Sequence, residues 1–161
     1  MLIYDNLLTG DECTEIIANI NELNECPDGF FNRVFAIKNN ILSTKVLNRL
    51  ITHSLDFCDS VISSTWFYTL YKNGECLSPH IDGHKTENNM KSYLTILIYL
   101  NHNFSGGQTI IYQDKSRAIT SIQPQIGKAL IMSQDVMHES KILTSGTKYV
   151  IRSDIMRVIP E

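Results

Sequence analysis

The chain has 161 residues, of which 43% are hydrophobic and 19% are charged, and its formal net charge is -3. This length fits one domain with its own hydrophobic core, so a second full domain is not expected. The charge balance excludes the strongly basic surface of a typical nucleic-acid-binding protein or of a protein attracted to anionic membranes.

The N-terminal sequence and the cysteines indicate an intracellular protein. MLIYDNLLTG lacks the basic segment and the long apolar run of a signal peptide, and no apolar stretch in the chain reaches membrane-spanning length. The cysteines form no C-x-x-C pair, so most are expected to be reduced thiols: Cys13, Cys26, Cys58 and Cys76. We therefore predict a cytoplasmic location and no membrane partner.

The first part of the chain is predicted to be helical. Thr9 and Glu12 have the spacing of a capping box, and apolar residues follow at helical spacing, which predicts a helix over about residues 11–24. CPDGFFNR is expected to be a loop that could include a short strand. A second amphipathic helix is predicted over roughly residues 43–60, from the spacing of Leu47, Leu50, Ile51, Cys58 and Val61.

From residue 64 onward the pattern changes to short runs rich in β-branched and aromatic residues. These runs are TWFYTLY, SYLTILIYL, QTIIY, KALIM and KYVIRSDIMRVI. They predict an antiparallel sandwich or barrel, with the two helices packed outside and Trp66 in the core. Residues 93–100 are apolar at nearly every position, as in a strand buried on both faces. The polar stretch HKTENNMKS is predicted to be a loop.

Three residues of this β-rich region could bind a metal. His80 and Asp82 would share one face of an extended strand, although such a pair alone is more often a polar surface turn. His138 follows the strand KALIM and is the best third ligand, the alternative being a capped surface histidine. Two histidines and one carboxylate form the facial triad of non-haem Fe(II) oxygenases.

Two basic residues of the last predicted strand bear on the same site. Lys148 follows His138 by ten residues, and an inward-pointing lysine would be costly unless it met a negative charge. The alternative is a lysine on a solvated face. Arg152 shares the face of Lys148 by strand alternation, so the pocket holds two cations or the roles of the two residues are exchanged.

Six segments in order resemble the Fe(II)- and 2-oxoglutarate-dependent dioxygenases, in particular the prolyl 4-hydroxylase-like branch. They are NLLTGDEC, YKNGECLSPHID, SYLTILIYLN, FSGGQTIIY, PQIGKALIM and HESKILTSGTKYVIRSDIM. The resemblance implies a mainly β fold with flanking helices (α+β), a double-stranded β-helix or jelly roll. Residues 1–161 would form a single domain, with 1–62 as helical support and 64–161 as the jelly-roll core.

The resemblance also implies roles for individual residues. The iron ligands would be His80, Asp82 and His138. Lys148, or Arg152 in its place, would pair with the far carboxylate of 2-oxoglutarate, and Tyr71 and Thr109 would contact the same carboxylate. Both could instead be ordinary strand residues present for packing. The implied cofactors are Fe(II), 2-oxoglutarate as co-substrate and O₂, with ascorbate as an additional reductant.

By the same resemblance, the protein would be a hydroxylase of an unactivated C–H bond, most readily that of a prolyl residue in a peptide or protein. Leu77 and Asp154 stand where prolyl 4-hydroxylases usually carry aromatic residues, which bears on substrate choice. A free amino acid or other small substrate is one alternative, and a non-catalytic, cupin-like metal-binding module is another. No nucleic-acid substrate is expected. The segment HKTENNMK is the candidate for a lid, and His84 within it is expected to be solvated.

Overall fold

The computed structural model describes residues 1–24, 33–113 and 117–159. The chain begins with β1 (Leu2–Tyr4), α1 (Gly10–Asn24), β2 (Arg33–Lys38), α2 (Asn40–His53) and a 3-10 turn (Leu55–Phe57). The strands that follow are β3 (Val61–Ile62), β4 (Thr65–Lys72), β5 (Leu77–His80), β6 (Thr86–Glu87), β7 (Met90–Tyr99), β8 (Ser105–Gly106), β9 (Thr109–Tyr112), β10 (Ala118–Ile122), β11 (Ala129–Ser133), β12 (His138–Ser140), β13 (Leu143–Ser145) and β14 (Thr147–Val158).

Helix α1 begins as the capping box predicts. The Glu12 carboxylate accepts from the backbone N–H of Thr9 at 2.9 Å, and the Thr9 hydroxyl accepts from the backbone N–H of Glu12 at 3.2 Å. The predicted helix is thus confirmed to within one residue. Its apolar stripe, including Cys13 and Ile20, is buried in the core. The free thiols described are Cys13, Cys58 and Cys76, whereas Cys26 and most of CPDGFFNR lie outside the described residues.

The prediction for the second helix, residues 43–60, is wrong at both ends. Helix α2 begins earlier because the Asn39 side chain accepts from the backbone N–H of Leu42 at 2.9 Å and caps the first turn. It ends at Ser54, which has extended backbone angles and starts the separate 3-10 turn. Val61, which was counted as a helical position, lies in strand β3.

The strands form two principal antiparallel sheets. The larger sheet has the order β1-β11-β7-β14-β4-β2, with β3 paired to β14 and β6 paired to β7. The smaller sheet has the order β10-β9-β12-β5, and β13 pairs with β8 as a separate ribbon. This arrangement confirms the predicted jelly roll. Among the helices of the described segments, none combines the length and apolarity needed to span a bilayer.

The hydrophobic residues form one cluster on each face of the larger sheet. The helices cover the first cluster, in which the buried Trp66 donates from Nε1 to the Ser43 hydroxyl at 2.9 Å. The second cluster contains Tyr99 and surrounds the candidate site between the two sheets. Strand β7 contributes to both, since Ile98 packs into the first cluster and Leu97 against the second. The prediction of a strand buried on both faces is confirmed.

The polar stretch HKTENNMKS is a β-hairpin and not the predicted loop. Strand β6 pairs with the start of β7, and the two residues between them, Asn88 and Asn89, have φ values of 51° and 57°. Positive φ at both central residues is typical of the two-residue hairpin turn whose twist matches that of the strands, and asparagine tolerates it better than most residues.

Candidate metal centre

Three side chains, two from adjacent strands and one from the segment that follows the first of these strands, meet at one end of the cavity between the sheets. His80 ends β5 and His138 begins β12, and the two residues are directly opposite each other in the antiparallel ladder. Their ring centroids are 4.3 Å apart. Asp82 follows two residues after His80, and one ligand atom from each of the three residues lies within 4.8 Å of the others. The structure therefore brings together the three residues that the sequence analysis selected.

Backbone hydrogen bonds determine which ring nitrogen of each histidine faces the site. His80 Nδ1 lies 2.9 Å from the Ser78 carbonyl, and His138 Nδ1 lies 3.0 Å from the Val136 carbonyl. A carbonyl only accepts, so each Nδ1 carries the proton and each Nε2 is left with its lone pair. Burial lowers the pKa of His138, which favours the neutral ring that a metal requires.

The Asp82 carboxylate is held from two sides. Its side chain is only 6% exposed; Oδ2 accepts from the Thr95 hydroxyl at 2.6 Å, and Oδ1 lies 3.1 Å from Arg152 Nε. Burial alone would raise the pKa of Asp82, but the nearby His80 ring and the Arg152 charge hold it well below its usual range. The Asp82 carboxylate raises the pKa of His80, so a metal at Nε2 would take the place of a proton there. Two imidazole Nε2 atoms and an ionised carboxylate facing one point are the donor set of a facial triad, so these residues fit Fe(II).

The sequence analysis missed Thr95. It lies on β7 and is fully buried. The sequence did contain a signal, because Thr95 is a polar residue within the otherwise apolar run LTILIY of residues 94–99. A lone hydroxyl in a buried apolar strand needs a hydrogen-bond partner, and Asp82 is that partner here.

Lys148 lies at the other end of the same cavity and is only 1% exposed. Its Nζ donates to the Gly107 carbonyl at 2.6 Å and to the Ser140 hydroxyl at 2.8 Å. A Cβ atom on Gly107 would lie 3.2 Å from Lys148 Cδ, so the glycine allows the close approach. Burial lowers the pKa of Lys148 to about 7. Across the described part of the chain, no carboxylate comes within 4.0 Å of this ammonium group.

The remaining predicted residues also line this cavity, whose volume is about 70 Å³. Tyr71 is 7% exposed, its ring centroid lies 5.2 Å from Lys148 Nζ, and burial raises its pKa to about 12. Thr109 is buried and accepts a hydrogen bond from the Tyr99 hydroxyl at 2.7 Å. Both residues therefore face the end of the cavity at which Lys148 lies.

Arg152 contacts different groups from Lys148. Besides its contact with Asp82, it donates from Nη2 to Asp154 Oδ1 at 3.2 Å, and its guanidinium lies 5.2 Å from the Phe67 ring centroid. The pocket therefore contains two cations, one at each end. Arg152 is already paired with two carboxylates, whereas Lys148 has only neutral partners in its hydrogen bonds.

His84 is exposed, as the sequence suggested, and both ring nitrogens also contact polar groups of the protein. Its Nδ1 lies 2.8 Å from the Ser92 carbonyl, and its Nε2 lies 3.2 Å from Asp135 Oδ1. These contacts fasten the hairpin to the segment that leads into β12. Leu77, one of the two positions that depart from the prolyl 4-hydroxylase pattern, lines the cavity.

Comparison with protein families gives one match, to the 2OG-Fe(II) oxygenase superfamily, over residues 66–153. No match was found among curated protein sequences.

Several solved structures share the fold. One is the viral collagen prolyl hydroxylase from Paramecium Bursaria Chlorella virus-1 in complex with 2OG, with 17% identity, coverage of 98% of this chain and 96% of that chain, and a TM-score of 0.71. A prolyl-4-hydroxylase from Pseudomonas putida has 12% identity and a TM-score of 0.70, and the match covers 97% of this chain and 91% of that chain. A prolyl hydroxylase from Trichoplax adhaerens, in complex with a hypoxia inducible factor peptide, has 19% identity and a TM-score of 0.66, and the match covers 96% of this chain and 82% of that chain.

Proposed function

The chain belongs to the 2OG-Fe(II) oxygenase superfamily and is a 2-oxoglutarate-dependent dioxygenase, and we propose that it hydroxylates a prolyl residue of a peptide or protein. The observation that carries the site assignment is the single cavity lined by the His80, Asp82 and His138 cluster at one end and by the buried cation of Lys148 at the other. A metal and a dianion would together satisfy both ends.

We assign Fe(II) to Nε2 of His80, Nε2 of His138 and one carboxylate oxygen of Asp82. When bound, Fe(II) supplies the redox chemistry that couples decarboxylation of 2-oxoglutarate by O₂ to hydroxylation of a C–H bond. The protein fixes the orientation of the ligands through the Nδ1–H bonds and the Thr95 hydroxyl. The apolar walls of the cavity limit the access of water. Ascorbate is the proposed reductant that maintains the ferrous state.

We assign the far carboxylate of 2-oxoglutarate to Lys148. A buried ammonium group with neutral partners lacks a counter-charge, and a carboxylate in the cavity would supply one through a charge-assisted hydrogen bond. Tyr71 and Thr109 line the same end and would contact that carboxylate through their hydroxyls. The two carboxylates beside Arg152 argue against the exchanged assignment.

The proposal of a prolyl substrate is supported by fold similarity to prolyl hydroxylases, one of which was solved with a peptide. A free amino acid or other small molecule is the alternative, and one observation favours it. Asp154, where prolyl 4-hydroxylases usually carry an aromatic residue, is buried behind the cavity and bonded to Gln134 and to Arg152, which lines the cavity, so this side of the site is polar.

Succinate formation over a panel of substrates tests the proposal. Purified protein would be incubated with Fe(II), 2-oxoglutarate, ascorbate and either proline-containing peptides or free amino acids. We expect peptides to stimulate succinate formation and to gain about 16 Da at proline, the mass of one oxygen atom. The His138→Ala variant is the control for metal-dependent turnover. If free amino acids alone stimulate succinate formation, the substrate is a small molecule and not a peptide. If 2-oxoglutarate is not turned over with any substrate, the site assignment is contradicted.

A further inference from the structure

A buried polar network extends from the Asp82 carboxylate into the larger sheet. Arg152 connects Asp82 to Asp154. Asp154 Oδ1 also accepts from Gln134 Nε2 at 2.9 Å, and Gln134 Oε1 accepts from the Ser92 hydroxyl at 2.8 Å. Asp154, Gln134 and Ser92 are 4%, 1% and 0% exposed. The Arg152 side chain is 21% exposed, whereas the residues behind it are sequestered from water, so solvent screens the charge of this network less than that of a surface pair.

The network fixes the position of the Arg152 guanidinium. Two carboxylates contact it, the Phe67 ring covers one face, and Gln134 anchors the Asp154 carboxylate from behind. The Ser92 hydroxyl, which completes the network, accepts from the backbone N–H of Lys85 at 2.7 Å. A cation held in this way beside a metal-binding carboxylate exerts a constant field on whatever the site binds.

Arg152 also has an unfilled donor. Its Nε lies 3.1 Å from Asp82 Oδ1, but the N–H does not point at that oxygen, and Nε is the only buried side-chain nitrogen or oxygen of the described residues without a hydrogen-bond partner. Leaving a buried N–H unsatisfied is costly, so an acceptor on a bound ligand would be favoured there. An anionic ligand beside Asp82 would supply that acceptor.

The charges of the cavity and the wall behind it are balanced. Asp82, Asp154 and Glu139 are negative, whereas Lys148, Arg152 and Lys141 are positive, and Lys141 pairs with Glu139 at 2.7 Å, so the six side chains sum to zero. A divalent metal and a doubly charged co-substrate would keep the sum at zero. Lys148 lies four residues along β14 from Arg152, on the side away from Asp82, so Arg152 is the cation nearer the metal ligands.

We propose that Arg152 weakens the binding of the divalent metal at this site and strengthens the binding of the 2-oxoglutarate dianion. This inference rests on the proposed function. The guanidinium repels a cation bound at Asp82 and attracts an anion beside it. Asp154 acts in the opposite direction on both ligands and also holds Arg152 in place, so Arg152 and Asp154 together set the balance.

The test measures two dissociation constants for each variant. Mn(II) binding is followed by the EPR signal of the free ion in the absence of 2-oxoglutarate, and 2-oxoglutarate binding by calorimetry on Mn(II)-saturated protein. For Arg152→Gln we expect Mn(II) to bind about tenfold more tightly and 2-oxoglutarate about tenfold more weakly, from the interaction of charges a few ångströms apart. Asp154→Asn should shift both constants in the opposite directions.

Two further variants separate charge from structure. Arg152→Lys keeps the charge, so both dissociation constants should stay within about threefold of the wild-type values. Arg152→Gln combined with Asp154→Asn removes one positive and one negative charge, so both constants should return to near the wild-type values. Arg157→Gln removes an exposed arginine from the same strand and is the matched control. Thermal unfolding of each variant would show whether it folds.

The outcomes distinguish this inference from the proposed function. Weaker binding of both ligands by Arg152→Gln would show a structural role for Arg152 and overturn the inference, as would two unchanged constants. Failure of the wild-type protein to bind Mn(II) or 2-oxoglutarate would instead overturn the proposed function, and the inference with it.

Discussion

Lys148 Nζ and Ser140 Oγ are 2.8 Å apart, and Ser140 lies two residues after His138 on β12. The contact therefore places the buried cation beside a residue that lies two positions from the candidate metal ligand His138 on the same strand. Because both His138 and Ser140 face the cavity by strand alternation, the spacing between a metal and a cation is fixed by the geometry of a single strand. A co-substrate that bridges the two would be selected by its length as well as its charge.

Replacement of Lys148 tests this bridge. For Lys148→Met we expect 2-oxoglutarate to bind about 100-fold more weakly to metal-loaded protein, because removing one partner of a buried charge pair costs a few kcal/mol. Calorimetry measures the constant, and Lys45→Met, which removes an exposed lysine paired with Glu12 outside the cavity, is the control. Unchanged 2-oxoglutarate affinity in Lys148→Met would refute the assignment of the anchor.

The pKa of Lys148 predicts a pH dependence of co-substrate binding. Burial lowers this pKa to about 7, whereas binding of a carboxylate requires the charged form, so binding takes up a proton above that pH. The affinity for 2-oxoglutarate should therefore fall by up to about tenfold per pH unit as the pH rises above 7. Lys148→Arg, whose side chain stays charged, should bind with little change between pH 7 and pH 9.

The same pKa predicts an effect on stability without ligands. The folded protein binds this proton less tightly than the unfolded chain, whose lysine titrates near its model value of 10.5. The free energy of unfolding should therefore rise as the pH increases from about 7 towards 10, and the cost of the buried charge is fully present below 7. Urea titrations of wild type and Lys148→Met would show this slope in the wild type alone. Parallel slopes would mean that the pKa of Lys148 is the same in the folded protein as in the unfolded chain.

The Thr95 hydroxyl is expected to support metal binding through Asp82. Thr95→Val keeps the shape but removes the donor at 2.6 Å from Asp82 Oδ2, and loss of such a partner typically weakens metal affinity by about 10- to 100-fold. Mn(II) titration gives the constant. Thr120→Val on β10 is a control for the same exchange elsewhere in the β-structure, and equal constants in the two variants would contradict the role of Thr95.

The predictions from sequence succeeded where local spacing determines the outcome. The i, i+2 relation of His80 and Asp82, the run of β7 and the capping box of α1 depend on neighbours in the chain, and all three patterns appear in the structure. The end of α2 was missed because the apolar spacing continues past Ser54, although the helix stops there. The hairpin was missed although Asn88-Asn89 is a plausible turn pair.

The groups around Asp82 could not be inferred from spacing. Thr95 and Arg152 are 13 and 70 residues from Asp82 in the chain and reach it only because β7 and β14 are neighbours in the larger sheet. The partners of Arg152 depend equally on register, since Asp154 and Gln134 come from β14 and from the residue that follows β11. Sequence identified residues with the required chemistry, and the sheet topology determined which of them meet.

The hairpin of residues 84–91 gives the last prediction, which concerns its role as a lid. None of these described residues lines the cavity, yet the hairpin follows Asp82 directly and is fastened by His84 beside the segment leading to His138. Replacing residues 86–91 with Asn-Gly would preserve the contact between Lys85 and Ser92 with a favourable turn. Because the metal and Lys148 are untouched, uncoupled turnover of 2-oxoglutarate should stay within about twofold of wild type. Peptide hydroxylation should fall by about tenfold in kcat/KM, because a large substrate has to be held over the metal. Asn88→Gly, which keeps the full hairpin, is the control, and equal losses of the two activities would show that the hairpin supports the site rather than the substrate.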